Sequence, residues 1–145
     1  MDVCGFGIME FGELTQADID AVKDNSISRG ILSKQPQEID FSYALRHEGK
    51  VLVIGGFRLI NTTTAWGWID LTHYAGEHII KVYRAIKEWT EIFCRDKGIK
   101  RLQCYVEVDF EEAERTVEHL GFRYESTMPN FVDNKPAWMF VKMME

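Results

Sequence analysis

The chain has 145 residues, 46% of them apolar and 12% aromatic, which suits one domain with a filled core and excludes disordered, collagen-like and low-complexity classes. Its 17 basic and 23 acidic residues leave a formal charge of −6. That balance argues against a nucleic-acid partner, because phosphate contacts need clustered Lys and Arg.

The three cysteines, Cys4, Cys94 and Cys104, are an odd number with no C-x-x-C pair. A reducing, cytoplasmic setting is therefore expected, without a disulfide framework. No run approaches the roughly eighteen apolar residues of a spanning helix. The N-terminus, MDVCGFGIMEFG, lacks a basic region and is broken by glycines, so neither a membrane anchor nor a signal peptide is expected. Without repeats or linkers, residues 1–145 read as a single domain.

Gly7 to Phe11 alternate as a first strand. Thr15 followed three residues on by Asp18 predicts a helix start, since the hydroxyl accepts from an early backbone N–H and the acid complements the positive helix end. This helix runs to about Asp24. Asn25 to Gln37 is mixed, with a second short helix placed around Ile31-Leu32 and ended by Pro36. Phe41 to Arg46 alternates, His47-Glu48-Gly49-Lys50 reads as a turn and Val51 to Ile54 is β-branched, which predicts a hairpin.

Gly55-Gly56 interrupts that strand before Phe57 to Ile60, the mark of a bulge or a close backbone approach. Asn61 to Thr64 makes a turn, and Ala65 to Leu71 a fourth strand. Beyond Gly76 the period turns helical through Ile79, Val82, Tyr83, Ile86, Trp89 or Thr90, and Phe93, and ends at Asp96-Lys97-Gly98.

Arg101 to Val108 alternates as a fifth strand, and a helix from Phe110 to Leu120 closes at Gly121. Phe122 to Ser126 and Ala137 to Met143 are the last strands, joined by a turn around Asp133 to Pro136. The order is β-α-α-β-β-β-α-β-α-β-β, with the fourth and fifth strands as parallel neighbours across a right-handed helical crossover. The expected fold is α/β (α+β): one mixed, mostly antiparallel central sheet flanked by helices.

Val106, Ala113 and Leu120-Gly121-Phe122 at their spacings, with the run Val53-Ile54-Gly55-Gly56-Phe57, resemble the GNAT superfamily of acyl-CoA-dependent N-acetyltransferases over nearly the whole chain from Gly7. The resemblance implies acetyl-CoA as acyl donor and an amine, on a small molecule or a protein, as acceptor. It also implies that the fourth strand runs into a glycine-rich loop whose N–H groups, at a helix start, cradle the CoA pyrophosphate.

Ile69, Leu71, Thr72, Gly76, Glu77, His78 and Ile79 fall on that stretch, and a backbone N–H around Ile69 to Leu71 would polarise the thioester carbonyl. Against the family's Arg/Gln-x-x-Gly-x-Gly/Ala motif, however, the Arg becomes Ala75 and the two glycines become His78 and Ile80; Gly76 remains. Two readings stay open. In one, His78 adds a donor to the diphosphate; in the other, His78 and Ile80 occlude the cradle, with Ile80 in the core stripe of the helix. The Tyr that many members use to protonate the leaving thiolate is Val117 here, and the frequent Asn at the start of that helix is Phe110.

Attack on a thioester needs a neutral amine, hence a base. Tyr105, Glu107 and Asp109 alternate onto one face of the fifth strand, and Glu107 is the first candidate base; Asp70, at the end of the fourth strand, is the second. Trp66 and Trp68 share a face with Asp70, as an acceptor pocket or as core. His73 and His78 make a poor ligand pair, so no metal is expected. Cys104 reads as a small buried hydrophobe. The apolar last strand, Trp138 to Val141, either pairs with a partner's edge to give a homodimer or is covered internally. The rival reading is a non-catalytic protein, resembling in pattern the small GNAT-like proteins encoded among virion genes of short-tailed bacteriophages and acting through protein–protein contacts.

Overall fold

Alternation and turn chemistry place the strands. The computed structural model, which describes residues 9–25 and 41–145, has seven among these residues: β1 (Met9–Glu13), β2 (Phe41–His47), β3 (Lys50–Leu59), β4 (Thr64–Leu71), β5 (Arg101–Glu107), β6 (Arg123–Val132) and β7 (Lys135–Met143). Between them lie the helices α1 (Gln16–Asn25), α2 (Ile79–Lys97) and α3 (Glu111–His119), and a short 3₁₀ helix over His73–His78. The expected start of the first strand at Gly7 and the second helix around Ile31-Leu32 lie outside the described residues.

The sheet order is β1-β2-β3-β4-β5-β7-β6. β1/β2, β2/β3, β5/β7 and β6/β7 are antiparallel. β4 and β5 are the expected parallel pair, with Thr64 opposite Arg101, Ala65 opposite Leu102 and Trp66 opposite Gln103. Among the described residues no helix is long and apolar enough to cross a membrane. The chain divides into two compact units, Met1–Arg58 with Trp68–Arg84, and Leu59–Gly67 with Ala85–Glu145.

In the first unit the predicted start of α1 forms a reciprocal box. The Asp18 amide donates to Thr15 Oγ1 at 3.2 Å, and the Thr15 amide and hydroxyl donate to Asp18 Oδ2 at 2.9 and 2.8 Å. Arg46 of β2 closes on the same carboxylate through Nε at 2.9 Å and through a second guanidinium nitrogen. Burial alone would raise the Asp18 pKa, but the hydrogen bonds from Arg46 and Thr15 outweigh it and hold the group below its ordinary value. Val22 of α1 packs on Ala44, Val51 and Ile54.

The β2–β3 turn puts Glu48 (φ 51°) and Gly49 (φ 77°) in the left-handed region, as the tightest hairpins require. β3 is one continuous strand across Gly55-Gly56. Of the two expectations for Gly55-Gly56 the close backbone approach holds, at Gly55; the β2/β3 register shifts elsewhere, where Leu45 and Arg46 face Val53 and Val51 and Leu52 is the extra residue.

In the second unit Phe110 precedes α3 without any side-chain cap and is buried among Cys104, Val106, Val117 and Phe140. Burying a Phe contributes about 1.5–3 kcal/mol, against about 1 kcal/mol for a typical cap, so the exchange favours packing. The helices α2 and α3 stop as predicted. Gly98 and Gly121 have φ of 73° and 95°. The following amides donate back five residues, Ile99 to the Cys94 carbonyl at 2.8 Å and Phe122 to the Val117 carbonyl at 3.0 Å.

Several boundaries differ from expectation. α2 begins at Ile79, not just after Gly76. Its buried stripe takes Thr90 in place of Trp89, while Ile80 is 66% exposed and so is no part of the core. β5 ends at Glu107, and Asp109 turns left-handed (φ 69°), so strand alternation no longer sets its direction. β6 continues past Ser126 to Val132 with almost every residue exposed, which leaves no alternation to read. Asp133 (φ 49°) and Asn134 (φ 63°) alone make the final turn, and Pro136 already belongs to β7. The missing N–H of Pro136 is tolerated because the β6/β7 register slips between Met128 and Val132. β7 pairs with β5 on one side and β6 on the other, so the apolar last strand is covered internally and is not an edge.

Candidate functional site

The first unit carries every residue expected to hold the acyl donor. β3 and β4 meet closely at Gly55: a Cβ there would stand 2.7 Å from the Trp68 carbonyl oxygen and 2.9 Å from Ile69 Cγ2. That approach fixes the second half of β4, where Ile69 is half-buried and Asp70 and Leu71 are buried. Thr72 then anchors the strand end, its hydroxyl donating to the Val51 carbonyl at 2.7 Å and its amide to the Leu52 carbonyl at 3.0 Å. The Thr72 hydroxyl is thus spent on the fold.

The 3₁₀ turn His73–His78 follows, with Ala75 buried and Gly76 and Glu77 exposed. A Cβ on Gly76 would meet nothing within 4 Å, so packing leaves space beside the helix start. Two ring contacts tie this turn to the β2–β3 hairpin: His78 lies 4.5 Å from His47, centroid to centroid at 59°, and Lys50 Nζ stands 4.6 Å from the centre of Tyr74. Nδ1 of His47 is buried with no hydrogen-bond partner. The helix start, whose dipole end favours anions, is therefore flanked by Lys50 and two imidazoles where a glycine cradle was sought. Sequence reasoning found His78 but missed His47 and Lys50, because only the hairpin register brings them there; Tyr74 lies in the turn itself.

Asp70 belongs to the first unit and Glu107 to the second. The two tryptophans also part company. Trp68 packs against the Val22, Ala44, Val51 and Ile54 cluster, with its Nε1 buried and unpartnered. Trp66 touches Tyr105 and Phe131 in the second unit. Glu107 is half-buried at the end of β5. Val117, in the position of the family's acid Tyr, is buried in apolar core and cannot pass a proton. Burial pushes the Cys94 and Cys104 thiols up to about 11 and about 12, out of nucleophilic range.

A mixed sheet with one parallel pair after the fourth strand, crossed by the long helix α2, is the fold of the GNAT N-acetyltransferases. No family model matches the sequence, and no curated protein matches it. Solved structures do. Ard1 from Thermoplasma volcanium superposes with a TM-score of 0.75 at 16% identity, over 95% of this chain and 99% of that one. The ribosomal-protein-S18-alanine N-acetyltransferase from Escherichia coli gives 0.70 at 16% identity, over 94% of each chain. A GNAT family acetyltransferase from Elizabethkingia anophelis with acetyl-CoA bound gives 0.68 at 11% identity, over 95% of this chain and 99% of that one. At such identities the likeness establishes the fold.

Proposed function

We propose that the protein is an acyl-CoA-dependent N-acyltransferase that moves an acetyl group from acetyl-CoA to an amine, on a small molecule or a protein, in a reducing compartment such as the cytoplasm. The fold carries this reading: the acetyltransferases above align over nearly their full length, and two of the matched structures hold acetyl-CoA. The open space beside Gly76 fits a phosphate group at the helix start. His78 and Lys50 supply donors there in place of the missing glycine amides.

Bound acetyl-CoA supplies an electrophilic thioester carbonyl. A backbone N–H in the stretch Ile69 to Leu71 holds the oxygen on which negative charge develops. Glu107, with Asp70 as the alternative, takes the proton that the attacking amine must lose. The Leu71, Thr72, Glu77 and Ile79 backbone lines the donor's path into α2. With Val117 unable to protonate the departing thiolate, that proton comes from solvent, and positioning supplies much of the rate.

Thermal denaturation with acetyl-CoA tests the reading. Saturation at about 100 times Kd adds about 2.7 kcal/mol, a rise in Tm of roughly 5–10 °C for a domain of this size. His78→Gly is expected to shrink that rise, and no shift at millimolar ligand ends the proposal. A second reading, a protein of this fold that works through protein–protein contacts as in the phage virion-associated comparison, is favoured by the apolar Val117. Stabilisation by acetyl-CoA without thiol release in the presence of any amine would select it.

A further inference from the structure

Near its far end the edge strand β6 leaves the regular ladder. Met128 faces Ala137 and Val132 faces Lys135, so Pro129, Asn130 and Phe131 stand against Pro136 alone. Neither proline has an N–H to give. Asn130 turns left-handed (φ 55°), a conformation that only Gly, Asn and Asp adopt readily. Backbone pairing therefore does little to hold these three residues to the sheet.

A side chain holds them instead. β7 lies between β6 and β5, which sets those two strands roughly 10 Å apart, yet the Phe131 ring meets Tyr105 of β5 at 5.1 Å and 70°. It also stands 6.2 Å from Trp66 of β4, at 38°. The ring thus reaches across β7, on the face that Tyr105 shares with Glu107. The β7 partners of those two residues are Met139 and the small Ala137, and Ala137 leaves room for a ring to pass. Phe131 still keeps 41% of its surface exposed, so this hold is a limited one. Ring contacts of this kind each shift an opening equilibrium by about two- to tenfold.

We infer that residues 129–131 form a strap that opens and closes as a local unit, with Phe131 as its latch on Tyr105 and Trp66. Local openings are drawn from segments with few buried contacts and an interrupted ladder, and the strap has both features. Closed, it lies over part of the sheet; open, it uncovers the face of β5 that carries Tyr105 and the candidate base Glu107. The strap is built from the chain's own contacts and holds whether or not acetyl-CoA binds.

Relaxation-dispersion NMR of the full chain, without ligand, tests this on the μs–ms scale of lid motions. Exchange is expected at the amides of Asn130, Phe131 and Val132 and at the Trp66 indole, and not along the rest of β6 and β7. Asn130→Ala penalises the left-handed closed form and is expected to raise the open-to-closed ratio roughly 5- to 30-fold, with a much smaller rise for Asn130→Gly. Phe131→Ala, at an exposed position, is expected to abolish the exchange and leave these amides at the shifts that dispersion gives for the open form; Phe131→Tyr is expected to keep the exchange. No exchange at these residues in the unsubstituted chain, exchange spread evenly along β6 and β7, or closed-form shifts in Phe131→Ala each overturns the inference.

Discussion

At Gly55 the absence of a side chain is what lets β3 and β4 meet, since the atom in the way of a Cβ is the Trp68 carbonyl oxygen at 2.7 Å, which no rotamer change can move. Gly55→Ala is therefore expected to cost about 1–3 kcal/mol and to lower Tm by several degrees in a thermal melt. The cysteines make the opposite point. With thiols pushed up to about 11 and about 12, Cys94 and Cys104 are expected to resist alkylation at pH 8 in the native protein and to label fully once unfolded; peptide mass spectrometry reads both.

Asp18 adds a pH dependence. Its folded pKa lies below the unfolded one, so its contribution is complete above the unfolded value, near pH 4. It is lost as pH falls through the lower, folded value. Asp18→Asn is expected to be less stable at neutral pH and to have a flatter stability profile below pH ~4, measured by urea titrations across pH. Sequence showed the Thr15–Asp18 pairing, but it did not show Arg46, which arrives from β2, 28 residues on.

Among the elements, the helix ends were the most legible, because a left-handed residue after the last turn demands glycine whatever the tertiary context. Gly98 and Gly121 separate two costs. A Cβ on Gly98 meets nothing within 4 Å, whereas on Gly121 it would sit 3.3 Å from Lys142 Nζ, the amine that caps the Leu120 carbonyl at 3.0 Å. Gly98→Ala is expected to cost about 1–2 kcal/mol from φ alone. Gly121→Ala should cost more, since Lys142 must also give way; paired denaturation curves measure the difference.

The edge strand β6 was under-read for the converse reason. A strand exposed along almost its whole length carries no buried–exposed alternation, and its register slips and left-handed Asn130 answer to the partner strand, not to local propensity. Ile80, 66% exposed, fails the one open reading that put it in the core stripe, in keeping with the period itself, whose stripe of Ile79, Val82, Tyr83 and Ile86 leaves it out.

At the scale of the molecule, the acyl donor is assigned to residues 69–79, all within the first compact unit. Hydrogen–deuterium exchange is expected to show acetyl-CoA slowing the amides around Thr72 to Ile79. Unchanged exchange of those amides at saturating acetyl-CoA would contradict the assignment. The sequence by itself determined the succession of strands and helices, the parallel β4/β5 pair and the helix stops, because these follow from side-chain period, backbone sterics and the handedness of crossovers. The resemblance to the GNAT superfamily also set His78 and Ile80 at the positions of the family's two glycines.

Only the tertiary structure decided what stands beside those residues. His47 and Lys50 reach the helix start through a hairpin register, β7 lies inside the sheet because the β6–β7 hairpin folds it back between β5 and β6, and Phe131 meets Trp66, some 65 residues away in sequence, beside a register slip. Long-range pairing is fixed by packing and hydrogen bonding across strands, and neither is written in any local window of the chain.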